Sequence, residues 1–178
     1  MTQYTTEKVL RGALMQLHVD KYDMIKMLCG GSGGNTPVTE DLLKTAAVSH
    51  SNHKNDIMMF LWKHGGGKLP ITEDVLMATV SQDLDTNFPI FVTLGEYAGQ
   101  DPPITEDVLK AVAQGRYEDG DIPMKILFHY GDESLCTTEA VLCEVVRNEK
   151  QSELRLLQWL CQRFGDNLPI TEDVLCCA

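Results

Sequence analysis

Six cysteines, five histidines and two glycine clusters are the residues of this 178-residue chain with the most chemistry to offer. Thiolates and imidazoles hold zinc when four of them converge, and paired thiols bridge when their Cα atoms lie within roughly 7 Å. The cysteines are Cys29, Cys136, Cys143, Cys161, Cys176 and Cys177, and no two stand as Cys-x-x-Cys. A zinc ion would have to gather Cys136, Cys143, Cys176 and Cys177 without any spacing motif to help. Of the histidines His18, His50, His53, His64 and His129, only His50 and His53 lie close together, and they read as a solvated pair. Gly30-Gly-Ser-Gly-Gly34 and Gly65-Gly-Gly-Lys68 have the composition of phosphate loops. They lack the strand before and the spacing after that such loops need. No nucleophile stands at a useful spacing from a base. The inventory points to no cofactor, no metal and no catalysis.

What positions these residues is a repeat. Thr6, Thr39, Thr72, Thr105, Thr138 and Thr171 are each 33 residues apart, and each is followed by glutamate: Glu7, Glu40, Glu73, Glu106, Glu139 and Glu172. Leucine stands four after each threonine (Leu10, Leu43, Leu76, Leu109, Leu142, Leu175), and a second leucine column holds Leu28, Leu61, Leu94, Leu127 and Leu160. Pro37, Pro70, Pro103 and Pro169 precede the threonine by two, with Cys136 as the substitute. A period of this size marks a repeat array, in which each unit buries its apolar face only against its neighbours. The units run approximately 4–36, 37–69, 70–102, 103–135 and 136–168, with a partial sixth at 169–178, within one domain covering 1–178.

Thr-Glu-Asp-Val-Leu predicts a helix start, here helix A. The threonine hydroxyl can accept from free first-turn N–H groups, and the carboxylates complement the helix dipole. A polar stretch follows, as at Ser49–Asn55 or Gly115–Gly120, and then a shorter, more apolar helix B, as at Asp56–Trp62 or Leu154–Leu160. Pro89 and Pro123 fall near the start of helix B, where a missing N–H costs nothing, and glycines close it. About eleven helices are expected in an all-α solenoid of stacked helix pairs. Thr39, Leu43, Leu61, Thr72, Leu76, Leu94, Thr105, Leu109, Leu127, Thr138, Leu142 and Leu160 form its structural frame. In that frame Cys143 and Cys176 occupy equivalent positions, roughly 8–10 Å apart and too far to bridge. Cys29 and Cys161 share a column with Trp62 and Phe128, which suggests packing.

The 33-residue period is that of ankyrin repeats, although Thr-Pro-Leu-His-x-Ala is absent from every unit. The units resemble more closely the ankyrin-like fungal repeats of the type Ile-Thr-Glu-[Glu/Asp]-Val-[Val/Leu], with Ile104-Thr-Glu-Asp-Val-Leu-Lys-Ala111 as the best copy. Such arrays are often attached to multidomain proteins of the NACHT/NLR-like kind. The resemblance covers essentially the whole chain and implies an α-solenoid recognition region without catalytic residues.

The net charge of −11 is mainly architectural. Ten of the 26 acidic residues are first-turn carboxylates of helix A, which leaves 16 acidic against 15 basic. The rest are uneven: residues 1–80 keep a basic excess, whereas Asp83, Asp85, Glu96, Asp101, Glu118, Asp119 and Asp121 make 81–121 acidic. An acidic ridge on the A–B loops would attract a basic or mixed-charge protein. The basic excess lacks interleaved aromatics, which points away from nucleic acid. No apolar run approaches the length that spans a membrane, and the amino-terminal residues have no signal-peptide pattern, so an intracellular or cytoplasmic location is expected. With no secretion signal, the thiols should be reduced.

The expected role is therefore a non-enzymatic scaffold for a protein partner. Asp83, Asp85, Arg116, Tyr117, Glu118 and Asp119 would set specificity, because these columns differ from unit to unit. The alternative is self-assembly, with copies stacking end to end. The array opens on helix A at Thr6 and breaks off inside a sixth helix A, so its ends read as a fragment of a longer array, a short cap, or a stacking surface.

Overall fold

The computed structural model describes residues 2–15, 38–49, 54–65, 69–80, 102–115, 122–131, 135–148 and 153–177, with backbone only for 2–6, 54, 55, 153 and 154. Every regular element among them is helical. We number the helices α1 (Thr2–Met15), α2 (Glu40–Val48), α3 (Lys54–His64), α4 (Glu73–Val80), α5 (Glu106–Gln114), α6 (Ile122–Tyr130), α7 (Glu139–Arg147), α8 (Glu153–Phe164) and α9 (Glu172–Cys176). A single 3₁₀ turn, Gly165–Asn167, follows α8. The helix B segments expected in the first and third units, including Leu28 and Leu94, lie outside the described residues.

Five threonines start helices in the same way. The hydroxyls of Thr39, Thr72, Thr105, Thr138 and Thr171 accept from the N–H three residues on, at 3.3–3.4 Å. Where the cap dihedrals are resolved, at Thr39, Thr105, Thr138 and Thr171, the threonine is extended, as an N-cap requires. The first unit departs from the pattern. Helix α1 begins at Thr2, so Thr6 lies inside it and does not open it. Tyr4 occupies the place that proline or Cys136 holds in the other units, and nothing there breaks the helix.

The prolines act through a specific turn. Ile71 N–H donates to Leu69 O at 2.8 Å, Ile104 to Pro102 at 2.7 Å and Ile170 to Leu168 at 2.8 Å. Each bond closes a three-residue turn centred on Pro70, Pro103 or Pro169. An inverse γ-turn needs a central φ near −75°, close to the value a proline ring imposes.

Packing follows the apolar columns. α1 lies against α2, α2 against α4, α4 against α5, α5 against α7, and α7 against α9. The more apolar helices pair with their predecessors: α3 with α2, α6 with α5, α8 with α7. Leu10, Leu43, Leu76, Leu109 and Leu142 are buried, as are Leu61, Leu127 and Leu160. The residue before the first leucine column (Leu42, Val75, Val108, Val141, Val174) is buried too. Helices α2, α4, α5 and α7 therefore each turn two adjacent positions inward. At α9 only one of them is covered: Val174 is 5% exposed and Leu175 67%.

Gly65 and Gly131 end α3 and α6 for want of space. A Cβ at Gly65 would lie 2.8 Å from Val38 Cγ2 and 2.9 Å from Leu61 O, and one at Gly131 would lie 2.7 Å from Leu135 Cδ2 and 2.9 Å from Leu127 O. Gly165 is different: its φ of +52° is the left-handed value that glycine adopts without strain.

Candidate functional site

Three sets of side chains could carry function: the ladder joining successive helices A, the cysteines at the end of that ladder, and an aromatic–cationic cluster on α6 and α8.

The ladder begins with the glutamates that follow the repeat threonines. Thr39 Oγ1 donates to Glu7 Oε1 at 2.6 Å, Thr105 to Glu73 at 2.8 Å and Thr171 to Glu139 at 2.8 Å. Each of these carboxylates thus ties its own helix to the next unit's cap. Glu40 and Glu106 have a lysine one turn on and pair with it: Lys44 at 3.0 Å and Lys110 at 3.4 Å. A second rung joins the residue five after one threonine to the aspartate two after the next. Arg11 meets Asp41 at 3.1 Å and Lys44 meets Asp74 at 3.2 Å. Hydrogen bonds to Glu40 and then Asp74 raise the Lys44 pKa above its ordinary value. The rung changes where the residues change. Met77 faces Asp107 in this register, and Lys110 faces Ala140 and turns to Asp107 of its own helix at 2.7 Å, which raises its pKa. Beside the first rung a cleft of about 430 Å³ is lined by Glu7, Lys8, Arg11 and Asp41. Among the described residues two cations and two anions line it.

Cys143 is buried, its Sγ donates to Asp173 O at 4.0 Å, and the thiol that perturbs it is Cys177, not the equivalent Cys176. Cys177 continues the last turn of α9 in helical conformation and packs on the core, while Cys176 is exposed. The side-chain hydrogen bond with Cys177, then burial, pushes the Cys143 thiol up to about 11. Cys136, Cys143, Cys161, Cys176 and Cys177 are all free thiols. Among the described residues no group of three or more His, Cys, Asp or Glu side chains could hold a metal ion. His64 stacks on Phe60 with centroids 4.1 Å apart, and His129 lies edge-on to Tyr130 at 4.9 Å. His18, His50, His53 and Cys29 lie outside the described residues.

The cluster on α6 and α8 was not among the sites expected from sequence. Phe128 is buried between Trp159, at 5.7 Å, and Phe164, at 5.3 Å. The Arg163 guanidinium sits over all three rings, 5.5 Å from Phe128, 5.7 Å from Trp159 and 5.6 Å from Phe164. Lys125 Nζ approaches the Trp159 ring at 5.9 Å. Such contacts draw a cation to the negative ring face. Arg155, Trp159 and Arg163 fall four residues apart on α8, hence on one face, and both arginines are exposed. No carboxylate pairs with either arginine among the described residues. The only sequence signal was the i, i+4, i+8 spacing on α8, because its aromatic floor comes from a helix one unit away.

The expected specificity residues Asp83, Asp85, Arg116, Tyr117, Glu118 and Asp119 lie outside the described residues, with 116–121 falling between α5 and α6. The departure point of that segment is firmly held. Asn148 Nδ2 donates to Ala113 O at 2.9 Å and Gly115 O at 3.0 Å, satisfying carbonyls at the end of α5.

One protein family matches part of the chain: Domain of unknown function (DUF7104), over residues 97–119. The match contains Ile104-Thr-Glu-Asp-Val-Leu109 and all of α5, and it is shorter than one 33-residue period. No curated protein and no solved structure matches the chain. Among the described residues no helix is long and apolar enough to cross a membrane.

Proposed function

We propose that the chain is an ankyrin-like α-solenoid of five full repeats and a half repeat that acts as a non-enzymatic scaffold for a protein partner. The observation that carries this reading is the recurrence of one contact at one register. The bonds Thr39–Glu7, Thr105–Glu73 and Thr171–Glu139 each span 32 residues, as nearest-neighbour stacking of identical units demands. Most of the described positions that repeat are buried or capping, and those that vary read from the sequence as A–B connections, which a stack would present to a partner. Asp83, Asp85, Arg116, Tyr117, Glu118 and Asp119 are the specificity residues in this reading, and the partner is a protein, not nucleic acid or membrane. The test is capture of a partner on the immobilised chain, repeated with the charge-reversed variant D83K/D85K/E118K/D119K. Capture by the wild type and loss by the variant is the expected result. Equal capture by both would sink the assignment of those residues, and no specific capture would sink the scaffold.

A second reading, end-to-end self-assembly, is favoured by the exposure of matched columns. Val9 is 46% exposed on α1, whereas its equivalents in other units are buried, and Leu175 is 67% exposed on α9, whereas its equivalents are buried. Inside the row both columns are buried, so one copy's α9 face could receive another's α1 face as a heterologous contact. Growth of the scattering mass with concentration would favour this reading.

A further inference from the structure

We propose that the exposed face of α8 built from Arg155, Trp159 and Arg163, with Lys125 beside it, is a docking site for an acidic, extended segment of a partner protein. This rests on the scaffold reading and adds a surface of opposite charge to the acidic A–B connections. The first argument is charge. The chain carries 26 carboxylates against 15 basic residues, yet neither Arg155 nor Arg163 has a carboxylate partner among the described residues. Among the described residues three arginine and lysine networks on the helices A close on carboxylates: Arg11 with Asp41, Lys44 with Glu40 and Asp74, Arg147 with Glu144 at 3.0 Å, whereas Lys8 and Lys63, like Arg155 and Arg163, have no such ion pair.

The second argument is preorganisation. The Arg163 guanidinium lies over three rings at 5.5–5.7 Å, so an exposed side chain is already ordered by its contacts. A guanidinium fork matches a carboxylate bidentately, and arginine and tryptophan are both residue types enriched among interface hot spots.

The third argument is spacing. Arg155 and Arg163 are eight residues apart on one helix face, about 12 Å along the axis. An extended peptide places residues i and i+4 about 13 Å apart. Side chains of alternate residues point the same way, so carboxylates at every second position present one side to both arginines. Trp159 stands between them in sequence, partly buried against the core, and holds Arg163 and Lys125 over its ring. A compact anion such as phosphate would engage one arginine and leave the other unused.

The experiment follows the fluorescence anisotropy of a fluorescein-labelled peptide, (Glu-Ser)5, against the full chain, with (Gln-Ser)5 and inorganic polyphosphate as competing probes. Saturable binding of (Glu-Ser)5, none of (Gln-Ser)5, and weakening at higher salt are expected. The variant R155Q/R163Q should raise Kd about tenfold or more, while R147Q, whose arginine is already paired, should leave it unchanged. Both Arg155 and Arg163 are exposed, and an unchanged circular dichroism spectrum shows that the variant folds. No binding by the wild type, equal binding by R155Q/R163Q, or binding of polyphosphate alone overturns the proposal. The peptide assay reads only this face, and partner capture with the charge-reversed variant reads only the A–B connections, so the two failures are distinguishable.

Discussion

The Thr105 hydroxyl makes two bonds at once: it accepts from Val108 N–H at 3.4 Å and donates to Glu73 Oε1 at 2.8 Å. One oxygen caps its own helix and ties that helix to the unit before it. Thr105→Ala should cost about 1–2 kcal/mol, made up of the lost cap and the lost tie. Glu73→Gln keeps the shape and weakens only the tie. In a double-mutant cycle by urea denaturation, the coupling between the two changes should be about 0.5–1 kcal/mol. Strict additivity would mean that the bond between units contributes nothing.

Met77 occupies the rung where Arg11 and Lys44 reach the next unit's aspartate. Met77→Lys should therefore create an ion pair with Asp107. Such a pair stabilises by about 0.2–1 kcal/mol, offset by the packing that partly buried Met77 gives up, and half a molar salt should erase most of the pair's share. A loss of stability that salt does not change would show that Met77 matters for its packing.

Thr137 stands where the other units place Val38, Ile71, Ile104 and Ile170, and its buried hydroxyl has no hydrogen-bond partner. Removing an unsatisfied buried polar group at constant volume is stabilising. Thr137→Val should raise stability by about 1 kcal/mol in urea, with an unchanged m-value. A destabilised variant would mean that the hydroxyl is satisfied in solution.

Cys143 should be the slowest of the five described thiols to alkylate. At pH 8, iodoacetamide should label exposed Cys136, Cys161 and Cys176 first, read by mass spectrometry of digests. The same thiol affects stability. Its folded pKa, about 11, lies above its ordinary 9.0, so the folded state holds the proton more tightly. Its stabilising contribution is full below about pH 9 and is lost as pH rises through 11. Cys143→Ser should flatten that alkaline decline.

The helix starts and the leucine columns were legible because both depend on spacing along one helix, and a 33-residue period repeats that spacing faithfully. The prolines were legible as breaks, but their role as centres of γ-turns depends on backbone closure that composition does not display. What sequence missed was lateral. Six identical glutamates read as dipole partners, yet Glu7, Glu73 and Glu139 reach the next threonine, whereas Glu40 and Glu106 turn to Lys44 and Lys110. That choice depends on the residue four positions on and on rotamer geometry between helices. The same limit hid the influence of Cys177 on Cys143 and the cage around Arg163, whose floor includes Phe128 from a helix one unit away. Thr6 failed as a helix start because capping also needs a break before it, and Tyr4 supplies none.

Small-angle X-ray scattering over a concentration series tests the stacked architecture most directly. Six helices A in a row, spaced roughly 8–10 Å, give a particle about 50–60 Å long. The scattering mass should stay at 19.9 kDa, with a skewed distance distribution reaching beyond that length. A symmetric distribution with a radius of gyration of about 16 Å, the value for a compact domain of this size, would contradict the stack.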